Sequence, residues 1–290
     1  MSSRLLLNLL LAGCVAALAA FLFSGTGEPP TETITRLTDT PPGSISRIKI
    51  ERQAQEPILF TRQEGGWLMT SPYQMPASEA RINSLLRLLT VQSHARLDAN
   101  AIDLTRFRLD PPQVTLRLDD HVFLFGDTEA LDERRYVLTE DSVHLINDTL
   151  YPQLIAAATF FISPRLLPDA ARLLSLQLPE HTLQRTDNQW TIEPAGNIDP
   201  ATLPVLIKAW QQASAITVSP YAQGQGSGEI HIRLADGGQL LFLMISPPPK
   251  LILARPDLGI QYHIDSNTAE QLFVPEEQDD MTGNAAADIP

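Results

Sequence analysis

Along most of this chain apolar and polar residues alternate in short runs, the period-2 signature of half-buried strands. Ile48 and Ile50 alternate with Arg47 and Lys49; the run Ile58 to Arg62, a turn at 63–66 and the run Trp67 to Met69 then read as a hairpin. The spacing changes over 77–90, where Ile82, Leu85, Leu86 and Leu89 share one face of a helix that starts near Ser78. Alternation resumes at 113–118, 122–125, 135–138 and 143–146, with a short closing helix at 148–154.

The same order returns downstream. Strands at 174–178, 182–185 and 190–192 precede a helix over 200–213, with Leu203, Leu206, Ile207 and Trp210 on one face and Asp199 as its N-cap. Strands at 229–234, 240–245, 251–254 and 261–264 and a helix at 266–273 complete the second set. The pattern therefore predicts an α+β fold of mainly antiparallel sheet. It contains two tandem β-β-α-β-β-β-β-α repeats, 45–155 and 173–274, joined by a connector at 156–172. Trp67 and Trp190 fall at matching places, so both are expected to be buried against the helices that follow them. In the connector, Phe161 and Ile162 are expected to pack with Leu150, Leu154 and Ile155 in the core between the repeats.

The flanks follow neither period. Residues 5–23 carry no charge and as a helix would cover roughly 28 Å, enough to span a bilayer. Arg4 precedes this run, and Glu28 and Glu32 follow it, which places the N-terminus in the cytoplasm and the body in the periplasm. Ala17-Leu18-Ala19 also fits a signal-peptidase site and Leu11-Ala12-Gly13-Cys14 a lipobox, so a cleaved signal and a lipidated Cys14 stand beside an uncleaved anchor at 1–23. The stretch 24–44, rich in Pro, Thr and Gly, reads as an extended periplasmic linker, and 275–290, with Glu276, Glu277, Asp279, Asp280 and Asp288, as a disordered acidic tail.

Composition narrows the chemistry. With 34 acidic against 21 basic residues the formal charge is −13, the wrong sign for neutralising nucleic-acid phosphates, so no nucleic-acid partner is expected. Cys14 is the only cysteine, which excludes an intrachain disulfide and a thiolate zinc site. Among His94, His121, His144, His181, His231 and His263 no pair has the i, i+4 spacing of a helical zinc site. His144, His231 and His263 read as residues on solvated strand faces. Asp119-Asp120 with His121 has the composition of a base and its orienting carboxylate, and equally that of a hairpin turn. The segment Gly224 to Gly228 precedes a strand and opens no helix, so it reads as a flexible loop without phosphate-cradling geometry, and Ser227 has no triad partner at a recognisable spacing.

Several short motifs recur at fixed distances: the Arg4 to Asn8 start, Gly65-Gly66-Trp67, Phe107 to Pro112 ahead of a strand, Phe125-Gly126-Asp127 and Arg134-Arg135-Tyr136-Val137. In these the chain resembles the bacterial family labelled domain of unknown function 4340, over most of 45–155 and more weakly beyond. The resemblance implies a membrane-tethered extracytoplasmic protein of uncharacterised role, with some relatives linked to gliding-motility-type ABC transport systems. It carries over no catalytic residue.

The expectation is therefore a non-enzymatic protein without catalytic, cofactor-binding or metal residues. It would be held in the inner membrane by residues 5–23, with its body in the periplasm offering a binding surface to another envelope protein. Two other readings stand beside it: an envelope hydrolase using Asp119, Asp120 and His121, and a small-ligand module using a groove between the repeats.

Overall fold

The computed structural model describes residues 35–130, 133–187, 189–195, 198–221 and 223–274. The apolar run 5–23, Cys14 and the acidic tail lie outside the described residues. No helix among the described residues is long and apolar enough to cross a membrane.

In chain order the first half comprises β1 (Thr35–Arg36), β2 (Arg47–Arg52), β3 (Ile58–Gln63), β4 (Gly66–Ser71), β5 (Met75–Pro76), helix α1 (Glu79–Leu86), β6 (Gln92–Ser93), β7 (Ala95–Asp98), β8 (Val114–Leu118), β9 (His121–Thr128), β10 (Arg134–Thr139), β11 (Ser142–Asn147) and the short α2 (Tyr151–Leu154). The second half comprises β12 (Leu173–Gln177), β13 (Thr182–Thr186), β14 (Gln189–Glu193), α3 (Thr202–Gln212), β15 (Thr217–Pro220), β16 (Gly228–Leu234), β17 (Gln239–Ser246), β18 (Ile252–Arg255), β19 (Ile260–His263) and α4 (Ser266–Gln271).

These strands build two large antiparallel sheets. The nine-stranded first sheet runs β5-β4-β3-β2-β8-β9-β10-β11-β7, and the eight-stranded second runs β14-β13-β12-β16-β17-β18-β19-β15. With β5 set aside, the strand orders correspond place by place. The β-β-α-β-β-β-β-α formula is nonetheless corrected to three strands, a helix, five strands and a helix. The strand that opens each half pairs with the following hairpin as a third member. A short edge strand, β7 or β15, then returns after each main helix to pair with the last strand of its half. All four residues of β7 are exposed, and β15 ends on Pro220, so neither displays the alternation that marks a strand in sequence.

The alternating residues face the core as their period requires. Ile48 and Ile50 on β2 and Val114, Leu116 and Leu118 on β8 are buried, as are Ile230, Ile232 and Leu234 on β16. These side chains, with Leu85 and Leu89 from the first helical region and Leu203 and Trp210 from α3, belong to one contiguous apolar cluster that extends through both halves. The connector holds the halves together as an extended ribbon. On one side Ser78 N–H donates to the Phe161 carbonyl and Ser163 N–H to that of Pro76; on the other, Leu166 N–H donates to Ala213 and Ala215 N–H to Pro164. Phe161 is fully buried and meets Phe60 edge-on at 5.5 Å. Leu150, Leu154, Phe161 and Ile162 are core residues, whereas Ile155 is 51% exposed.

Two further expectations change. The last part of the stretch read as linker is tied to the body: β1 pairs with β6, Leu37 is buried and donates to the Val91 carbonyl, and Thr40 Oγ1 lies 2.7 Å from His121 Nε2. Trp67 and Trp190 do occupy the same hairpin position, opposite Arg62 and Arg185 respectively. Their burial differs, because Trp67 is 3% exposed while Trp190 is only half-buried, on a strand that ends its sheet.

Candidate functional site

The short motifs of the first half converge on one cluster. Residues Leu104–Phe107 form a single 3-10 turn whose N-cap, Asp103, accepts from Thr105 N–H at 3.1 Å, and the turn closes at Arg108 in the left-handed region (φ 51°). It lies directly on Gly126. A Cβ at that position would come within 2.2 Å of the Phe107 carbonyl oxygen, so only glycine lets the turn reach the sheet. The Phe107 and Tyr136 rings pack against each other tilted by 52°, centres 4.6 Å apart, and Leu109, Leu138 and Val143 form a small second core there.

Beneath the turn, Arg135 is 7% exposed. Its Nε and Nη2 donate to the two Asp148 carboxylate oxygens at 2.8 and 2.7 Å, its Nη1 to the Gly126 carbonyl, and its guanidinium lies 3.5 Å from the centre of the Tyr151 ring. Tyr151 Oη donates to Gln113 Oε1, Gln113 Nε2 donates to Asp127, and Asp127 sits 3.3 Å from Arg108 Nε. The arrangement supplies a buried cation with a paired carboxylate and satisfied donors, a device that pins the 104–113 segment across the sheet. Alternation cannot foretell it, because its members come from four separate stretches of chain.

The residues singled out for chemistry are not assembled into a site. Asp119, at the two-residue turn between β8 and β9, accepts from Ser46 N–H, Ser46 Oγ and Arg47 N–H at 2.9–3.0 Å. Partial burial raises its carboxyl, but these hydrogen bonds together with the Arg47 charge outweigh it, hold the carboxyl below the ordinary carboxylate range and secure the start of β2. His121 faces Thr40, so it does not form a dyad with Asp119. Ser227 Oγ donates to the Met244 carbonyl at 3.1 Å, and Gly226 lies so close over Leu243 that a side chain there would collide with it. His231 remains exposed beside Glu229, while His263 is half-buried and 2.9 Å from Ser219 Oγ. Among the described residues no group of three or more His, Asp or Glu side chains could hold a metal ion.

His144 departs furthest from expectation. Instead of facing solvent it is 3% exposed, with Nδ1 unpartnered, because its cross-strand neighbour on β10 is the core residue Val137. Burial, reinforced by the nearby Arg96 charge and opposed by Glu140, lowers its pKa from the ordinary value near 6.5. Below about pH 6.5 the unfolded chain therefore takes up a proton that the folded chain excludes. Stability is expected to be complete above that pH and to fall as the pH drops toward the folded-state value. Chemical denaturation at a series of pH values should show this slope, and His144→Gln should flatten it.

An apolar cleft lies within the second half, not between the halves as the small-ligand reading required. It occupies about 450 Å³ where the β12–β13 turn, the end of β17 and the residues after α4 meet. Leu178, Met244 and Phe273 form its floor, and Glu180, His181 and Glu270 stand at its rim. Its volume falls in the lower part of the roughly 300–1,000 Å³ common for ligand clefts. In the sequence Leu178 and Met244 lie at the ends of the strands read at 174–178 and 240–245, and Glu270 and Phe273 in the helix read at 266–273, with no local signal that brings them together.

A family model described as domain of unknown function (DUF4340) matches residues 67–217. The match starts at Trp67 in β4, crosses the connector and ends in β15, so it covers parts of both sheets and reaches further downstream than the motifs alone indicated. No curated protein and no solved structure matches the chain.

Proposed function

We propose that this chain, which belongs to the DUF4340 family, is a single-pass envelope protein whose periplasmic body is a non-enzymatic binding module for another envelope component. Tethering is supported by the uncharged run 5–23, with Arg4 before it and Glu28 and Glu32 after it. The matching strand orders support reading the two halves as tandem copies of one unit, of which the second has been left open for binding. An ABC-type transport assembly is the kind of partner the family resemblance implies.

The observation that carries the reading is the unequal covering of the two sheets. In the first, residues 99–112 lie across the outer face and bury Leu138 and Val143, with Leu124 and Tyr136 partly covered. Leu243 in the second sheet corresponds to Leu124, since each faces the equivalent residue of the next strand, Ala254 and Leu138. There the covering segment is reduced to the glycine-rich loop before β16. Leu241 is left 40% exposed, and Leu243 and Ile252 are half-buried. An outer face with Leu241 exposed beside half-buried Leu243 and Ile252, and only that loop over it, is a surface suited to a partner.

Fusing a reporter that is active only in the periplasm after Pro275 should give activity; activity of a cytoplasmic reporter instead would overturn the topology. Cys14→Ser should leave the protein in the membrane fraction, and its release would favour a lipid anchor. A photoreactive residue at position 241 should capture a specific envelope protein in native membranes. Absence of any adduct there would remove the binding-module reading.

A further inference from the structure

We propose that the cleft of the second half binds an extended peptide segment in which an aliphatic or aromatic side chain adjoins a lysine or arginine. The inference rests on the reading of the body as a binding module and adds to the outer face of β17 a second contact surface, reached from the side of Met244.

The floor of Leu178, Met244 and Phe273 offers apolar surface, and the walls contributed by Pro179, Pro247 and Pro248 have no N–H groups to strand when water leaves. An apolar side chain can therefore enter without orphaning a wall donor. The rim is acidic. Glu180 and Glu270 are exposed, and neither carboxylate has a cationic partner among the described residues. A cation beside the inserted side chain would meet two carboxylates across an apolar floor, which gives the site both an anchor and a charge preference.

The same charges argue against the two nearest alternatives. The chain's own segment 275–290 begins directly after Val274 in the cleft wall, but it carries Glu276, Glu277, Asp279, Asp280 and Asp288 and no basic residue. A second copy of the chain would bring a formal charge of −13 to an acidic rim. The cleft meets solvent at its exposed rim residues Glu180 and Glu270, so a ligand can continue past it, as a peptide does and a small enclosed molecule does not.

The test uses the full chain in nanodiscs of zwitterionic lipid, with empty discs as the blank, and a fluorescein-labelled peptide of alternating leucine and lysine. Saturable binding is expected, weakening with salt over the range that screens surface charges. Glu180→Gln with Glu270→Gln should weaken it roughly three- to tenfold and remove the salt dependence. Phe273→Ala should weaken it independently, with an unchanged melting curve by circular dichroism confirming the fold. Equal binding of a peptide with glutamate in place of lysine, equal affinity of the double variant, or no binding above the blank would overturn the proposal. So would binding of octyltrimethylammonium but not of the peptide. Removal of 275–290 should leave the affinity within about threefold; a larger gain would make that segment the occupant. A partner that crosslinks through position 241 but not through position 273 would sink the cleft assignment while leaving the module reading intact.

Discussion

Replacing Arg135 by alanine is expected to destabilise the folded chain by about 3–5 kcal/mol, the usual cost of removing one partner from a buried ion pair. Three effects act together. Asp148 loses its bidentate partner, the Gly126 carbonyl loses a donor, and the Tyr151 ring loses the guanidinium stacked on it. Arg135→Lys should recover only part of the loss, because an ammonium cannot present the planar fork that meets both Asp148 oxygens. Pairing Arg135→Met with Asp148→Leu should be milder than Arg135→Ala alone, since no uncompensated carboxylate is left behind. Urea denaturation of the three variants checks the order. A variant Arg135→Ala within about 0.5 kcal/mol of the parent would show that the cluster does not hold the 104–113 segment in place.

Trp67→Ala should also cost about 3–5 kcal/mol, as expected for truncating a buried indole, whereas Trp190→Ala should cost roughly 1–2 kcal/mol. The two residues hold the same hairpin position, so the difference comes from their surroundings. Trp67 is 3% exposed, and the Arg62 guanidinium lies 5.5 Å from its ring. The strand carrying it is flanked on its other side by β5, while β14 ends its sheet. Because a single apolar cluster and the hydrogen-bonded connector join the halves, both variants should melt in one shifted transition. Calorimetry would contradict this if either variant resolved two transitions, one of them at the parent's temperature.

Most strands and both long helices are legible in the residue pattern alone, because burying one face of a strand or helix leaves a period of 2 or 3.6 in the residues that carry it. Thus β2, β8, β16 and α3 are legible in Ile48, Leu116, Ile232 and Leu206. The ends of the described body and the short edge strands were not, since β1, β7 and β15 are held by backbone pairing and bury too little to impose a period. The roles of single polar residues also depended on tertiary structure. Asp119 secures a strand start, His144 enters the core beside Val137, and Arg135 meets Asp148 under a turn that only Gly126 admits. The cleft joins Leu178, Met244 and Phe273 from three distant stretches. Periodicity records which face of an element is buried, but not what that face is buried against, and a site is defined by that second fact.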